Sequence, residues 1–436
     1  REDLQSDVKL YTIRVTLEVD VRPGKFSRNK FSNNPLGDIL EFKNETLVAY
    51  DPSTKKEIGF AFAPSQKADY KYSDGQKAHF YFNLTLSPSE MANIHFTLLA
   101  DNQNGHQTAL SSLKSVHSQR GALSKAKHDF YRNKIFDGVK FSSSEEGLDL
   151  AFYSAKANAV LSRTDMRPAI PEIFFSSSIP VYTQLFANDI GIASPGLIRA
   201  GFHQEVKHSL ESIIHFSQIN HVAPHQVSEV GDILTIRRNQ TTLQLIHALW
   251  QLYVHTGDIC FLEKHFNSLS GFFEESLRRW DSDHDLYLEG LSIGENPMEG
   301  DERIGSSAYM FSALTSLSKM ARLLDEKDKA LEYEMLLSDY QERFNIDWWT
   351  QINSKQNRPV EIGYENFPTS RVNDGRPGKE RYWMSMLPNY LGLSTPENAE
   401  KSLTDFQDNW QSSYGITGKF LAVSYTHLRA HETAQY

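Results

Sequence analysis

From Tyr11 onward apolar residues alternate with polar ones: Tyr11, Ile13, Val15, Leu17, Val19 and Val21 stand against Thr12, Arg14, Thr16, Glu18 and Asp20. A period of two puts one face of a strand in a core and the other in water. Phe80, Phe82, Leu84 and Leu86 repeat the pattern, as do Ile94, Phe96 and Leu98. Turn clusters such as Asn33-Asn34-Pro35 and Asp51-Pro52-Ser53 separate these runs. Residues 1–105 are therefore expected to form an antiparallel β-sandwich.

Beyond residue 105 the period becomes helical. Met310, Leu314, Leu317, Ala321 and Leu324 step by four and three, as do Tyr333, Leu337, Tyr340 and Phe344, and each set makes one apolar stripe. The pattern predicts helices over 144–163, 190–201, 203–219, 240–256, 258–280, 306–324, 328–346, 378–391 and 396–409, after a helical linker at 106–140. Their connections alternate. Gly201, Gly257-Asp258, Asp325 to Lys327 and Gly392 to Thr395 are tight joints, with glycine past a helix end and aspartate capping the next helix. Between them lie 164–189, 220–239, 281–305 and 347–377, all longer than the 12–15 or so residues that ordinary loops reach. In antiparallel helices alternate connections fall at opposite ends, so the long crossings should gather on one face. The expected domain is a toroidal stack of helical hairpins with a polar pocket at one end.

The 436 residues are 39% hydrophobic and 23% charged, enough apolar material for a sizeable core. Net charge is −10, the wrong sign for a phosphate-backbone partner, so nucleic acid is not expected. No apolar run is long enough to span a bilayer, and no membrane partner is expected. The chain reads as soluble, with cytoplasm, periplasm and secretion left open. Cys260, the one cysteine, forms no internal disulfide and is expected to pack in a helical core beside Phe261 and Leu262.

The crossing at 281–305 carries Asp281, Asp283, Asp285, Glu289, Glu295, Glu299, Asp301 and Glu302. Carboxylates crowded at a rim repel, and one that is also desolvated keeps its proton near neutral pH, as cleavage of a glycosidic bond requires of its acid. The alternative is a solvated acidic loop. Asp281, Asp283 and Asp285 offer calcium-type ligands but lack the glycine and final glutamate spacing of a complete EF-hand loop, so no cofactor or resident metal is expected. Pro224 between His221 and His225 argues against a helical metal pair. Trp280, at a helix end on the site side, could stack on a sugar ring.

Glu295-Asn296-Pro297-Met298-Glu299-Gly300-Asp301-Glu302-Arg303 resembles the acid-bearing loop of inverting (α/α)6-barrel glycoside hydrolases of the processing α-glucosidase and trehalase type. That resemblance implies Glu299 as general acid, with Glu302 as the alternative, and Arg303 as the arginine ending the loop. Phe186-Ala187-Asn188-Asp189 is similar to the aromatic-x-Arg-Asp segment of glucoamylases and debranching enzymes, whose aspartate binds sugar hydroxyls. Pro224-His225 resembles the following site loop. Phe186, Asn188, Asp189, His225, Trp280 and Arg303 are thus the expected substrate-binding residues.

The sequence departs from the pattern at Glu299, Pro297, Glu302 and Asn188, where aspartate, glycine, proline and arginine are usual. In such families the general base lies in a later crossing. Residues 423–433, VSYTHLRAHET, resemble one reading frame of a transposase adapter used in sequencing libraries. Residues 141–422 are therefore expected to be a truncated catalytic domain, an incomplete (α/α)6 toroid without its base, and 423–436 a non-native tail. The expected activity is inverting hydrolysis of an α-glucosidic or related linkage in an oligosaccharide or glucoside. A disaccharide phosphorylase and a non-catalytic carbohydrate-binding protein are the alternatives.

Overall fold

A computed structural model describes residues 11–19, 25–27, 30–32, 39–50, 59–74, 77–101, 106–179, 182–292, 302–349, 370–371, 386–412 and 415–416. It divides into two compact units that part between residues 132 and 133. The adapter-like tail and residues 378–385 of an expected helix lie outside the described residues.

In the first unit the strands are β1 (Tyr11–Val19), β2 (Lys25–Ser27), β3 (Lys30–Ser32), β4 (Ile39–Lys43), β5 (Thr46–Tyr50), β6 (Gly59–Pro64), β7 (Tyr70–Ser73), β8 (Ala78–Leu86) and β9 (Phe96–Asp101). They pair antiparallel as sheets β1-β8-β7 and β4-β5-β6-β9, with the hairpin β2-β3. Alternation explains the core. Val19 of β1 and Ala78, Phe80 and Phe82 of β8 meet Leu40, Leu47, Ala49 and Phe62 of the second sheet. The second sheet's other face holds Val48 and Ala61 against Ala109 of helix α1 (His106–Ser118). Expectation and structure part at two strand ends. Tyr11 and Ile13 stay about half exposed where β1 runs past the core, and Phe96 and Leu98 are exposed because β9 turns its other face, with Leu99, toward α1.

Helix α2 (Arg120–Phe136) buries none of its residues. The second unit then runs α3 (Glu146–Ser162), β10 (Arg163–Thr164), β11 (Phe174–Phe175), β12 (Leu185–Phe186), α4 (Ala187–Arg199), α5 (His203–Asn220), β13 (Gln226–Val227), β14 (Ile233–Thr235), α6 (Thr241–Thr256), α7 (Ile259–Trp280), β15 (Glu302–Arg303), α8 (Ile304–Leu323), α9 (Lys327–Asp347), β16 (Ser370–Arg371), α10 (Leu387–Tyr390), α11 (Pro396–Trp410), β17 (Gln411–Ser412) and β18 (Gly415–Ile416). Helices α4, α6 and α8 pack on one another as the inner layer. Helix α6 is buried continuously from Thr241 to Leu249 and α8 from Ile304 to Met310, whereas α9 buries only Ala330, Tyr333, Tyr340 and Phe344. Burial along one stripe marks the outer helices, and burial nearly all round, with Gln244 and several serines included, marks the inner ones.

The tight joints behave as the sequence predicts. Gly257 takes φ 68° at the end of α6, and the Asp258 carboxylate accepts the Phe261 N–H at 3.1 Å to cap α7. A left-handed residue costs glycine nothing, and the cap satisfies a donor that the first helical turn leaves open. Cys260 departs from its expected place: it is exposed, because the buried stripe of α7 runs through Phe261, Leu262, His265, Phe266, Leu269, Phe272 and Phe273. Among the described residues no helix is long and apolar enough to cross a membrane.

Candidate active site

The long crossings are sewn to one another at the ends where the inner helices begin. Strand β12 of the first crossing pairs with β13 of the second, Leu185 opposite Val227 and Phe186 opposite Gln226, and β13 pairs with β14. Asn239 joins the second crossing to the third: its backbone N–H reaches the Leu291 carbonyl at 3.0 Å, and its side-chain amide donates to the carbonyls of Leu288 and Glu289 at 2.9 and 3.0 Å. The Ser306 hydroxyl of α8 donates to the Asn239 side-chain oxygen, and Arg238 donates to the Ser292 carbonyl. Glu302 bridges back to Glu289, and β15 pairs with β16 of the fourth crossing. The crossings therefore form one collar, whose residues feed directly into α4, α6 and α8. Helix N-termini present unpaired N–H groups and a partial positive charge, so acidic groups are favoured along the collar.

Phe186, Asn188 and His225 come together at the start of α4. His225 packs edge-on against Phe186, with ring centroids 5.5 Å apart, and its carbonyl accepts the Ala187 N–H at 3.0 Å. Its Nδ1 lies 2.6 Å from the side-chain oxygen of Asn188. That oxygen also accepts from the Thr241 hydroxyl at 2.8 Å, while the Asn188 amide donates to the Gln244 side-chain oxygen at 2.9 Å. Asn188, expected to meet substrate, is instead fully buried, tying α4 to α6. An arginine there could not be buried so without a charged partner. Burial, reinforced by the Arg238 charge, pushes the His225 ring down to about 4, so it is neutral at pH 7. Asp189 is exposed in the first turn of α4.

In the third crossing Glu302 and Arg303 are both buried at the entry to α8. Glu299 lies outside the described residues. Trp280 closes α7, half-buried, and its carbonyl accepts the Glu289 N–H at 2.7 Å. Asp281 shows the raised carboxylate expected of this crossing: burial drives its pKa up, and Glu289 and Asp283 add to the shift, against the Leu286 N–H that its side chain accepts. Carboxylate oxygens of Asp281, Asp283 and Asp285 lie within 4.8 Å of one another, but Asp281 and Asp285 each spend an oxygen on a backbone N–H, of Leu286 and Tyr287.

The sequence reading missed Asn239, Gln240, Thr241 and Gln244 as collar residues. Gln240 is fully buried with neither side-chain amide atom hydrogen-bonded. Such groups cost roughly 1–3 kcal/mol each and are more at home in a site than in a core. The available signal was the polar run Arg238-Asn239-Gln240-Thr241-Thr242, too long for a helix cap, at the mouth of an apolar helix.

Residues 205–365 match the sequence profile of the bacterial α-L-rhamnosidase six-hairpin glycosidase domain. Among solved structures, a bacterial glucoamylase complexed with acarbose aligns with TM-score 0.61 and 11% identity, over 85% of this chain and 58% of its own. A protein described as a kojibiose phosphorylase from the human microbiome aligns with TM-score 0.57 and 11% identity, over 92% and 60%. A GH78 family rhamnosidase of Bacillus sp. GL1 aligns with TM-score 0.52 and 10% identity, over 88% and 41%. Among curated proteins, none matches the chain significantly. Residues 205–365 thus carry the profile of a six-hairpin glycosidase domain, and the chain shares the fold of these carbohydrate-active proteins. It spans less than two thirds of the length of each of these structures.

Proposed function

We propose that the chain is part of a carbohydrate-active enzyme that hydrolyses an α-linked glycoside with inversion, its helices forming an incomplete (α/α)6 toroid. Support comes from the collar: it fastens the acidic third crossing, through Asn239 and Ser306, beside the crossing that carries His225. Glu299 is the general acid and Glu302 the next choice. Asp189, Phe186, His225, Trp280 and Arg303 bind the sugar. Inversion needs a second carboxylate about 6.5–9.5 Å from the acid, with room for the attacking water between them. We assign that base to a crossing later than the one that bears the acid.

The test is turnover of α-glucosides and α-L-rhamnosides by the protein extended through the remaining hairpins. Glu299→Gln should lower kcat by at least about 100-fold, whereas unchanged turnover moves the acid to Glu302. The likeness to a kojibiose phosphorylase supports a second reading, in which phosphate replaces the activated water. Activity that depends on added phosphate selects it. Glycan binding without turnover in the extended protein would identify a carbohydrate-binding protein instead.

A further inference from the structure

Asn188 and His225 form a directed pair. The Asn188 amide nitrogen is spent on Gln244 at 2.9 Å, so the atom facing the imidazole is its oxygen, which also takes the Thr241 hydroxyl at 2.8 Å. A carbonyl oxygen can only accept. The ring nitrogen 2.6 Å away must then carry the hydrogen. Backbone bonds hold the ring in place from both sides, the His225 carbonyl to Ala187 and the His225 N–H to the Thr235 carbonyl at 2.8 Å. Phe186 closes one edge. Among the described residues no hydrogen bond reaches Nε2.

We infer that Asn188 is a positioning residue: it holds His225 with its proton on Nδ1, so that Nε2 offers a lone pair at the half-buried collar surface. That lone pair accepts a hydrogen bond from a hydroxyl. For the ligand the inference rests on the carbohydrate reading above, in which the hydroxyl is a sugar's. Because the ring stays neutral at pH 7, Nε2 is not itself protonated. The tautomer runs against the one histidine prefers in water, which is why a fixed, buried acceptor is needed to impose it. Asn188 thus does from below what a carboxylate does for many catalytic histidines, without adding a charge.

Long-range proton–nitrogen NMR of the histidine-labelled 436-residue chain at pH 7 tests this, with the His225 signals identified by their loss in His225→Gln. The expected spectrum shows a protonated Nδ1 and a bare Nε2. Asn188→Asp keeps an acceptor and should keep that pattern, whereas Asn188→Leu should release the ring toward the Nε2-protonated form. A wild-type ring protonated on Nε2, as when both amides are turned over and Asn188 donates, overturns the inference, and so does an unchanged tautomer in Asn188→Leu. If Asn188→Leu fails to fold, the wild-type and Asn188→Asp spectra decide alone. Sugar turnover does not enter this readout, so its absence counts against the proposed function and leaves the tautomer result standing.

Discussion

Replacing Asn239 by alanine should loosen the collar more than any other single change among its described polar residues. The side chain is fully buried and makes three hydrogen bonds, to the carbonyls of Leu288 and Glu289 and from the Ser306 hydroxyl. At about 1 kcal/mol each their loss costs about 3 kcal/mol, and the stranded carbonyls raise this toward about 5 kcal/mol. For a slope of about 3 kcal/mol per molar urea, the midpoint of the helical unit should fall by about 1 M or more. The assay is urea unfolding followed by the fluorescence of the helical unit's tryptophans, with the slope checked for constancy. Asn239→Asp keeps an acceptor for Ser306 but turns a carboxylate toward two carbonyl oxygens, so it should be at least as damaging as alanine. A midpoint shift below about 0.3 M at constant slope, equivalent to about 1 kcal/mol, would refute the claim that this amide fastens the crossings together.

Two further substitutions probe the helices beneath. Asp258→Ala removes the α7 cap and should cost about 1 kcal/mol at pH 7 by urea unfolding. Lys207 and the Phe261 N–H hold the Asp258 carboxyl below its ordinary 3.8. Its contribution is therefore complete above that value and lost as pH falls through the lower folded-state value, so the gap between wild type and variant should narrow only below pH 3.8. On α4, a methyl at Gly191 would sit 2.7 Å from the Gln244 Cβ, whereas one at Gly196 meets nothing within 4 Å. Gly191→Ala should lower stability by about 1–3 kcal/mol, while Gly196→Ala should raise it by about 0.5–1 kcal/mol. Melting temperatures moving in the same direction would refute the close approach of α4 and α6.

Much of this architecture could be read from periodicity because the helices are long and their ends are chemically marked. Asp258 after Gly257 fixes where α7 begins, and Tyr333, Tyr340 and Phe344 of the expected α9 stripe are buried on that helix. The alternation of long and short connections implied a one-sided collar, and β12–β13, Asn239 and β15–β16 supply its seams. The two strand seams had no legible signal themselves. A two-residue strand such as Leu185–Phe186 is too short to show a period, and its partner is chosen by tertiary packing. The family pattern sets Asn188 where an arginine would meet substrate, although its burial depends on Thr241, Gln244 and His225, which lie far away in sequence. The apolar neighbours of Cys260 point to a core position, whereas a rotation of about 100° per residue sets it apart from Phe261 and Leu262.

The lateral seams also divide the freedom to change between the two ends of the helical unit. At Gly257-Asp258 a single inserted residue would rotate a whole helix against its neighbours, so that end tolerates little drift in length. Within the crossings, exposed stretches between seams can lengthen or shorten while Leu185, Gln226 and Asn239 keep the inner helices in register. New specificity can therefore be written into the rim by insertion and deletion without disturbing the scaffold below.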